Sequence, residues 1–256
     1  MLCTLLLLLV NIGTIKAAEP GYTVTEYYMS SAITADGKWT TADEWHDAPM
    51  FSLGTPKVAV WEYKMDSSGG SGPYVMEYLI EFADHTNDPG DRWQICLDGL
   101  NDGGTAPKTD DIKFEIEGHT TLKTYNGNGV GWTAAAYTPT WKDNLTSSPH
   151  DPAIHYVFEM RWDKGAASWG ANTPPHGLRI AMYDASNPSQ GWVAWPPEAI
   201  SKDNPSRWGA ISGFDVTYPE GLTIPVMLLV SAVAMLAGSY YLRKRPKTTN
   251  LTPTKL

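Results

Sequence analysis

The stretch Ile154-His155-Tyr156-Val157-Phe158-Glu159-Met160-Arg161-Trp162 decides the fold class of this chain. Ile154, Tyr156, Phe158, Met160 and Trp162 alternate with His155, Glu159 and Arg161. A period of two belongs to a strand with one face on a core. The same rhythm recurs on either side. Tyr74, Met76, Tyr78, Ile80 and Phe82 alternate against Glu77 and Glu81, which predicts those two carboxylates on a solvated face. Ile112, Phe114 and Ile116 alternate against Lys113, Glu115 and Glu117, and Leu178, Ile180 and Met182 stand against Arg179. Shorter runs lie at 57–63, 93–97 and 191–195, with Gly, Pro, Asn and Asp between them. Amphipathic helical stretches longer than two turns and fixed-period repeats are both missing. The pattern predicts an all-β domain, an antiparallel β-sandwich of about eight or more strands.

The two ends predict where that domain sits. Residues 222–242 carry no charge and are followed at once by Arg243-Lys244-Arg245-Pro246-Lys247. At ~1.5 Å per residue this run spans roughly 30 Å, a bilayer's hydrocarbon thickness. Residues 221–242 are therefore expected to form one transmembrane helix and 243–256 a basic cytoplasmic tail, with everything before them outside. At the other end a leucine-rich run precedes Ala17-Ala18, which suits a signal peptide over 1–18. The expected extracytoplasmic domain is then 19–220. Pro219-Glu220-Gly221 ahead of an apolar helix and a basic end resembles a sorting signal removed by sortase-like transpeptidases.

Taking Lys16 and the five tail cations from the 19 basic residues leaves 13 against 28 acidic ones, a charge of about −15 on the outer region. That balance excludes nucleic acid as a partner and suits neutral glycans or divalent cations. Cys96 is the single cysteine left after the signal, so a disulfide within the mature chain is excluded. Asn144-Leu145-Thr146 is a glycosylation sequon within the polar excursion 137–152. G-x-S-x-G, H-E-x-x-H and P-loop patterns do not occur, and the chain reads as a non-enzyme.

Four patches in order resemble the family 9 carbohydrate-binding modules. They are Ile33-Thr34-Ala35-Asp36-Gly37 with Glu44-Trp45 and Ala48-Pro49; the strand from Tyr78 to Asp84; Gln94-Ile95-Cys96-Leu97-Asp98 with Asn101-Asp102-Gly103-Gly104 and Asp111-Ile112-Lys113-Phe114-Glu115-Ile116; and Tyr156 to Glu159, Gly177 to Asp184, Trp195 and Asn204-Pro205-Ser206-Arg207-Trp208-Gly209. The same architecture is similar to the haem-binding γ subunit of ethylbenzene dehydrogenase, within the wider DOMON-like group.

The first resemblance implies binding of a neutral glycan at the cell surface. Family members clamp a terminal sugar between two tryptophans, at positions that fall here on Asp88 and Lys202. Trp93, Trp192 and Trp195 lie nearby, and Trp132 and Trp192 sit in Gly-rich loops. Trp132, Trp192 and Trp195 are thus the expected contacts, although for Trp195, as for Trp45, the competing reading is sandwich core. The family's structural calcium implies hard oxygen ligands, expected at Asp98, Asn101, Asp102 and Asp111, with Asp110 beside them. The second resemblance implies haem b with axial ligands from His, Met or Lys, where Met76, Met160, His119 and His176 come into question. The third expectation is a structural or adhesive surface protein, with a surface-layer partner in place of a small ligand.

Overall fold

The structure is a computed structural model. It describes residues 18–28, 33–46, 48–53, 59–66, 75–163 and 176–217, with the backbone alone at 26–28, 59–66 and 212–217. The signal peptide, the transmembrane run, the basic tail and the Pro219-Glu220-Gly221 motif fall outside these residues, Ala18 excepted. Among the described residues no helix is long and apolar enough to cross a membrane.

Among the described residues thirteen strands carry the fold. In chain order they are β1 (Thr23–Tyr28), β2 (Met50–Ser52), β3 (Ala59–Asp66), β4 (Val75–Phe82) and β5 (Arg92–Asp98). Then come β6 (Asp111–Glu117), β7 (Thr121–Gly127), β8 (Trp132–Ala134) and β9 (Thr140–Thr146). The last are β10 (His155–Asp163), β11 (His176–Tyr183), β12 (Trp192–Trp195) and β13 (Gly209–Thr217), with a short helix α1 (Glu198–Ser201) between β12 and β13.

Hydrogen bonds run continuously along β8-β7-β6-β5-β11-β13-β1-β3-β4-β10-β9, with β12 on β11 and β2 on β3. This ribbon closes on itself as a sandwich. Phe114 on β6 meets Trp162 on β10 at 5.1 Å, and Trp93 on β5 meets Phe82 on β4 at 5.1 Å. The inward residues are those the period of two selects: Met76, Tyr78, Ile80 and Phe82; Ile112, Phe114 and Ile116; Tyr156, Phe158, Met160 and Trp162; Leu178, Ile180 and Met182. Among the described strands the antiparallel expectation holds for all but two pairings. β1 runs parallel to β13, with Val24 opposite Ile211, and parallel to β3 at Tyr28. Strands from opposite ends of the chain meet there, and no local pattern encodes such a pairing.

The expected solvated face of β4 is the main correction. Glu77, Glu81 and Glu159 are all buried, at 0%, 2% and 0% exposure. Segment 33–49 crosses the outer face of β4 and β10 and packs Ile33, Trp39 and Trp45 onto Leu79 and Val157. Arg161 pairs with Glu77, and His150 Nδ1 lies 2.8 Å from Glu81. Excursion 137–152 is likewise more ordered than a loop, because β9 occupies its middle and pairs with β10. Asn144 sits in that strand, and its Nδ2, the atom a glycan would need, donates to Asp36 O at 2.7 Å.

Candidate functional site

With one outer face covered, the other belongs to β5, β6, β7 and β11. Register sets two rows across it. Arg179, Cys96, Lys113 and Tyr125 stand side by side, and so do Ala181, Gln94, Glu115 and Lys123. Opposite and diagonal neighbours on one face lie within reach of one another, and here both kinds interact. Arg179 Nη1 donates to Gln94 Oε1 at 3.0 Å, and Gln94 Nε2 donates to Glu115 Oε2 at 2.5 Å. Lys113 Nζ lies 3.7 Å from Glu115 and 4.4 Å from the Tyr125 ring centroid.

Two flanking pieces close over these rows. Past β12, α1 brings Glu198 to Arg179 Nη2 and Ser201 Oγ to Arg179 Nε at 3.2 Å. The following turn supplies Asp203 and Trp208, whose indole N–H donates to Ser201 O at 2.8 Å. From the other side the β7–β8 hairpin lays Trp132 across the face. Trp132 Nε1 donates to Asp203 Oδ1 at 2.7 Å, and its ring lies parallel to Trp208 at 6.4 Å. Lys113 Nζ is 5.1 Å from the Trp132 ring centroid, so the ammonium stands against two aromatic rings.

The charges of this face cancel at close range. Arg179 is met by Glu198 and Lys113 by Glu115, and Arg179 is 2% exposed. Such a surface has donors and acceptors in fixed positions but little net field. Cys96 lies beneath it, where burial pushes the thiol up to about 11 against the pull of Arg179 and Lys113. That group stays a neutral thiol and acts as packing.

The three tryptophans expected to form one site do not share a surface. Trp132 is half-buried over Lys113, whereas Trp192 is half-buried against Tyr183 at 5.7 Å. Trp195 is a core residue, 8% exposed, wedged between Tyr22 at 5.7 Å and Phe51 at 4.6 Å. Its partner in the register is Ile180, which points inward, so the strand's alternation turns Trp195 away from any ligand. Trp45 and Trp93 are core too. The site residues the sequence does not single out are Gln94, Arg179, Tyr125, Glu198 and Asp203. Alternation puts the first three on outward positions, but only the pairing of β5 with β11 and of β6 with β7 brings them together.

The histidines and methionines considered for haem have other roles. Met76 and Met160 are wholly buried in the core, and His176 Nδ1 lies 2.9 Å from Gly99 O. His119 is held with φ 60 between Asp143 (Nδ1, 2.7 Å) and Asp91 (Nε2, 3.0 Å), its ring 3.6 Å from that of Tyr156. Burial works against its charge, but the bonds to Asp143 and Asp91 outweigh it and hold the imidazole above its ordinary value.

The carboxylates expected to hold calcium are partly regrouped. Asp98, Asp110 and Asp111 bring oxygens within 4.8 Å of one another. Asp102 is instead taken by Lys108 Nζ at 2.8 Å, and Asn101 turns the loop with φ 49. Burial, with the charges of Asp98 and Asp110, pushes Asp111 up to about 8. Asp98 rises to about 6, chiefly by burial. Asp111 Oδ1 is buried with no hydrogen-bond partner. Asp98, Asp110 and Asp111 each offer a carboxylate oxygen, the hard donor type that calcium takes. A second acidic group, Asp84, Asp91 and Asp184, is also buried. There Asp91 accepts from Ala185 N at 2.7 Å, Asp88 N at 3.2 Å and His119.

The chain matches no protein-family model and no curated protein. Among solved structures it is similar to a family 9 carbohydrate-binding module from Caldicellulosiruptor kristjanssonii in complex with cellotriose, with a TM-score of 0.55 and 17% identity over 79% of this chain and 98% of that one. A structure of a family 9 module from the same organism in complex with glucose gives a TM-score of 0.52 and 16% identity, over 78% of this chain and 99% of that one. The domain therefore has the family 9 carbohydrate-binding-module fold, and at such identity the likeness is one of fold.

Proposed function

We propose that this protein is a binding module, not an enzyme, that takes a neutral glycan on the outer face of β5, β6, β7 and β11. The observation that carries the reading is the charge-cancelled line Arg179–Gln94–Glu115–Lys113, flanked by Tyr125 and Trp132. Sugar hydroxyls need fixed donors and acceptors, and the apolar face of a pyranose needs an aromatic surface. A strongly charged ligand would meet a site whose ions already satisfy each other. Solved modules of this fold in complex with cellotriose and glucose make β-linked glucans the first ligands to try. The uncharged run 222–242 and the basic residues after it support a single membrane span, with the domain held outside the cell and the tail in the cytoplasm.

Titration calorimetry of the full chain with cello-oligosaccharides, followed by a neutral-glycan panel, tests the reading. Gln94→Ala and Tyr125→Ala are each expected to weaken binding about tenfold, the equivalent of ~1.4 kcal/mol. Trp192→Ala, which removes a half-buried ring that lies against Tyr183 and not on this face, is expected to change it little. Binding that survives both of the first two changes, or vanishes only with Trp192→Ala, would move the site elsewhere.

A further inference from the structure

We infer that Glu81, His155 and His150 hold one zinc ion at the end of the covered outer face, where the turn 147–154 meets β4. The site is separate from the ligand face and does not depend on the glycan reading.

Register brings the first two groups together. Val157 stands opposite Glu81, so His155, on the same face of β10, reaches Glu81 from the diagonal position. His155 is 1% exposed and Glu81 2%. His155 Nδ1 lies 2.7 Å from Ala153 O, and since a carbonyl only accepts, that nitrogen carries the proton. The neutral ring then turns a lone pair at Nε2 toward Glu81 Oε1, 3.5 Å away. Neither atom has a hydrogen bond among the described residues. Two buried acceptors that face each other are costly unless something positive lies between them. A proton serves poorly, because an N–H···O bond is normally about 2.7–3.2 Å long. A zinc ion matches the gap. Its nitrogen and carboxylate ligands sit at about 2.0–2.2 Å, so two of them at the tetrahedral angle lie roughly 3.4 Å apart.

The third ligand stands at the other oxygen of the same carboxylate. His150 Nδ1 is 2.8 Å from Glu81 Oε2. Its side chain is 35% exposed, so the ring can turn onto an ion beside Glu81, and water can reach the remaining position. The turn that presents it is tied down. Ser148 Oγ accepts from His150 N at 3.1 Å and from Asp151 N at 2.9 Å, and Asp151 Oδ1 accepts from Ala153 N at 2.9 Å. His85 Nδ1 bonds Ile154 O, beside His155. Ala153 O, which sets the His155 tautomer, belongs to the same turn, and a backbone carbonyl is a usual outer partner of a metal-bound imidazole. Two imidazoles and one carboxylate with an open position form a zinc set. Calcium, which takes oxygens, would leave both rings unused.

Zinc titration of the chelator-treated full chain by calorimetry is the test, with excess calcium to mask oxygen-only sites and no glycan present. One zinc ion should bind with a Kd below about 1 μM and raise Tm by several degrees. X-ray absorption at the zinc edge should show two imidazoles among nitrogen and oxygen neighbours. His150→Ala changes a half-exposed ring, so the fold should persist, and zinc should bind at least ~10-fold more weakly. His155→Gln should weaken it at least ~100-fold, beyond the loss of an outer partner. Should that buried change prevent folding, the edge spectrum and His150→Ala still decide. Zinc affinity weaker than about 1 μM, affinity unchanged in His150→Ala, or a spectrum without imidazole overturns the site.

Discussion

Glu159 is the residue whose substitution most directly tests how segment 33–49 is held on the sandwich. Its Oε2 accepts the backbone N–H groups of Asp36 (3.0 Å), Gly37 (2.9 Å) and Lys38 (3.3 Å), and its Oε1 the indole N–H of Trp45 (2.9 Å). The bonds from Gly37 and Trp45 are buried, whereas those from Asp36 and Lys38 are only partly so. A buried donor left unpaired costs about 1–3 kcal/mol. Glu159→Ala strands two of them, so its cost from this cause is on the order of 2–6 kcal/mol.

An opposing effect depends on pH. Burial pushes the Glu159 carboxyl from 4.5 up to about 7, against the pull of the Trp45 and backbone N–H groups. A rise of that size is worth on the order of 3 kcal/mol. Between the two values the folded chain keeps a proton that the unfolded chain has released. The stability contribution is therefore full below the unfolded value and is lost as pH rises through about 7. Glu159→Gln keeps an acceptor for the three backbone donors, sets an amide against Trp45 and carries no charge. Urea unfolding of the full chain, followed by tryptophan fluorescence at about pH 5 and about pH 8, separates these terms. The Ala variant should lose most at the lower pH, and the Gln variant should move closer to the natural chain at the higher one. An Ala variant within ~0.5 kcal/mol at both, or a Gln variant whose loss is the same at both, refutes the reasoning.

Further outcomes follow from neighbouring contacts. Gly37→Ala should cost more than the ~1–2 kcal/mol of a left-handed backbone, because φ is +75 and a Cβ would lie 2.6 Å from Asn144 Nδ2 and 3.2 Å from Asp143 N; urea midpoints measure it. Arg179→Met should destabilise by somewhat less than the ~3–5 kcal/mol of a fully buried broken pair, since Glu198 is partly exposed, and it should abolish glycan binding by calorimetry. His119 is held above its ordinary value, so its contribution is present below about pH 6.5 and is lost as pH rises through the folded value. Replacing it with Gln should flatten that part of the stability–pH curve.

The inward half of the fold was legible because a strand's alternation is a local signal. Phe158 and Trp162, and Phe114 and Ile116, declare their faces without reference to anything distant. The outward half was not. Glu77 and Glu81 have the polar partners' place in the pattern that Glu115 and Glu117 have, yet the first two are buried and Glu117 is partly exposed. The difference lies in segment 33–49, whose approach depends on an anchor about 120 residues away at Glu159. Gln94 and Arg179 were equally silent, because their bond needs β5 and β11 paired in one register. Aromatic type alone misled at Trp195, where one residue of alternation separates a ligand platform from a core ring.

The two outer faces differ for a reason that bears on function. Asp36-Gly37 and Glu44-Trp45, which read as a family signature, serve to seal one face. Gly37 lets the backbone approach Glu159 and β9, and Trp45 sinks its indole to 0% exposure. That sealing buries charged groups beneath apolar cover and leaves no room for a hydroxyl-rich ligand. On the other face the covering pieces, α1 with its turn and the β7–β8 hairpin, close over Arg179 and Lys113 but leave Gln94 and Tyr125 partly exposed. Among the described residues, a ligand recognised by an outer sheet face has the face of β5, β6, β7 and β11 open to it. If Gln94→Ala and Tyr125→Ala leave glycan binding intact while Glu159→Ala removes it without unfolding the chain, the assignment of faces is reversed.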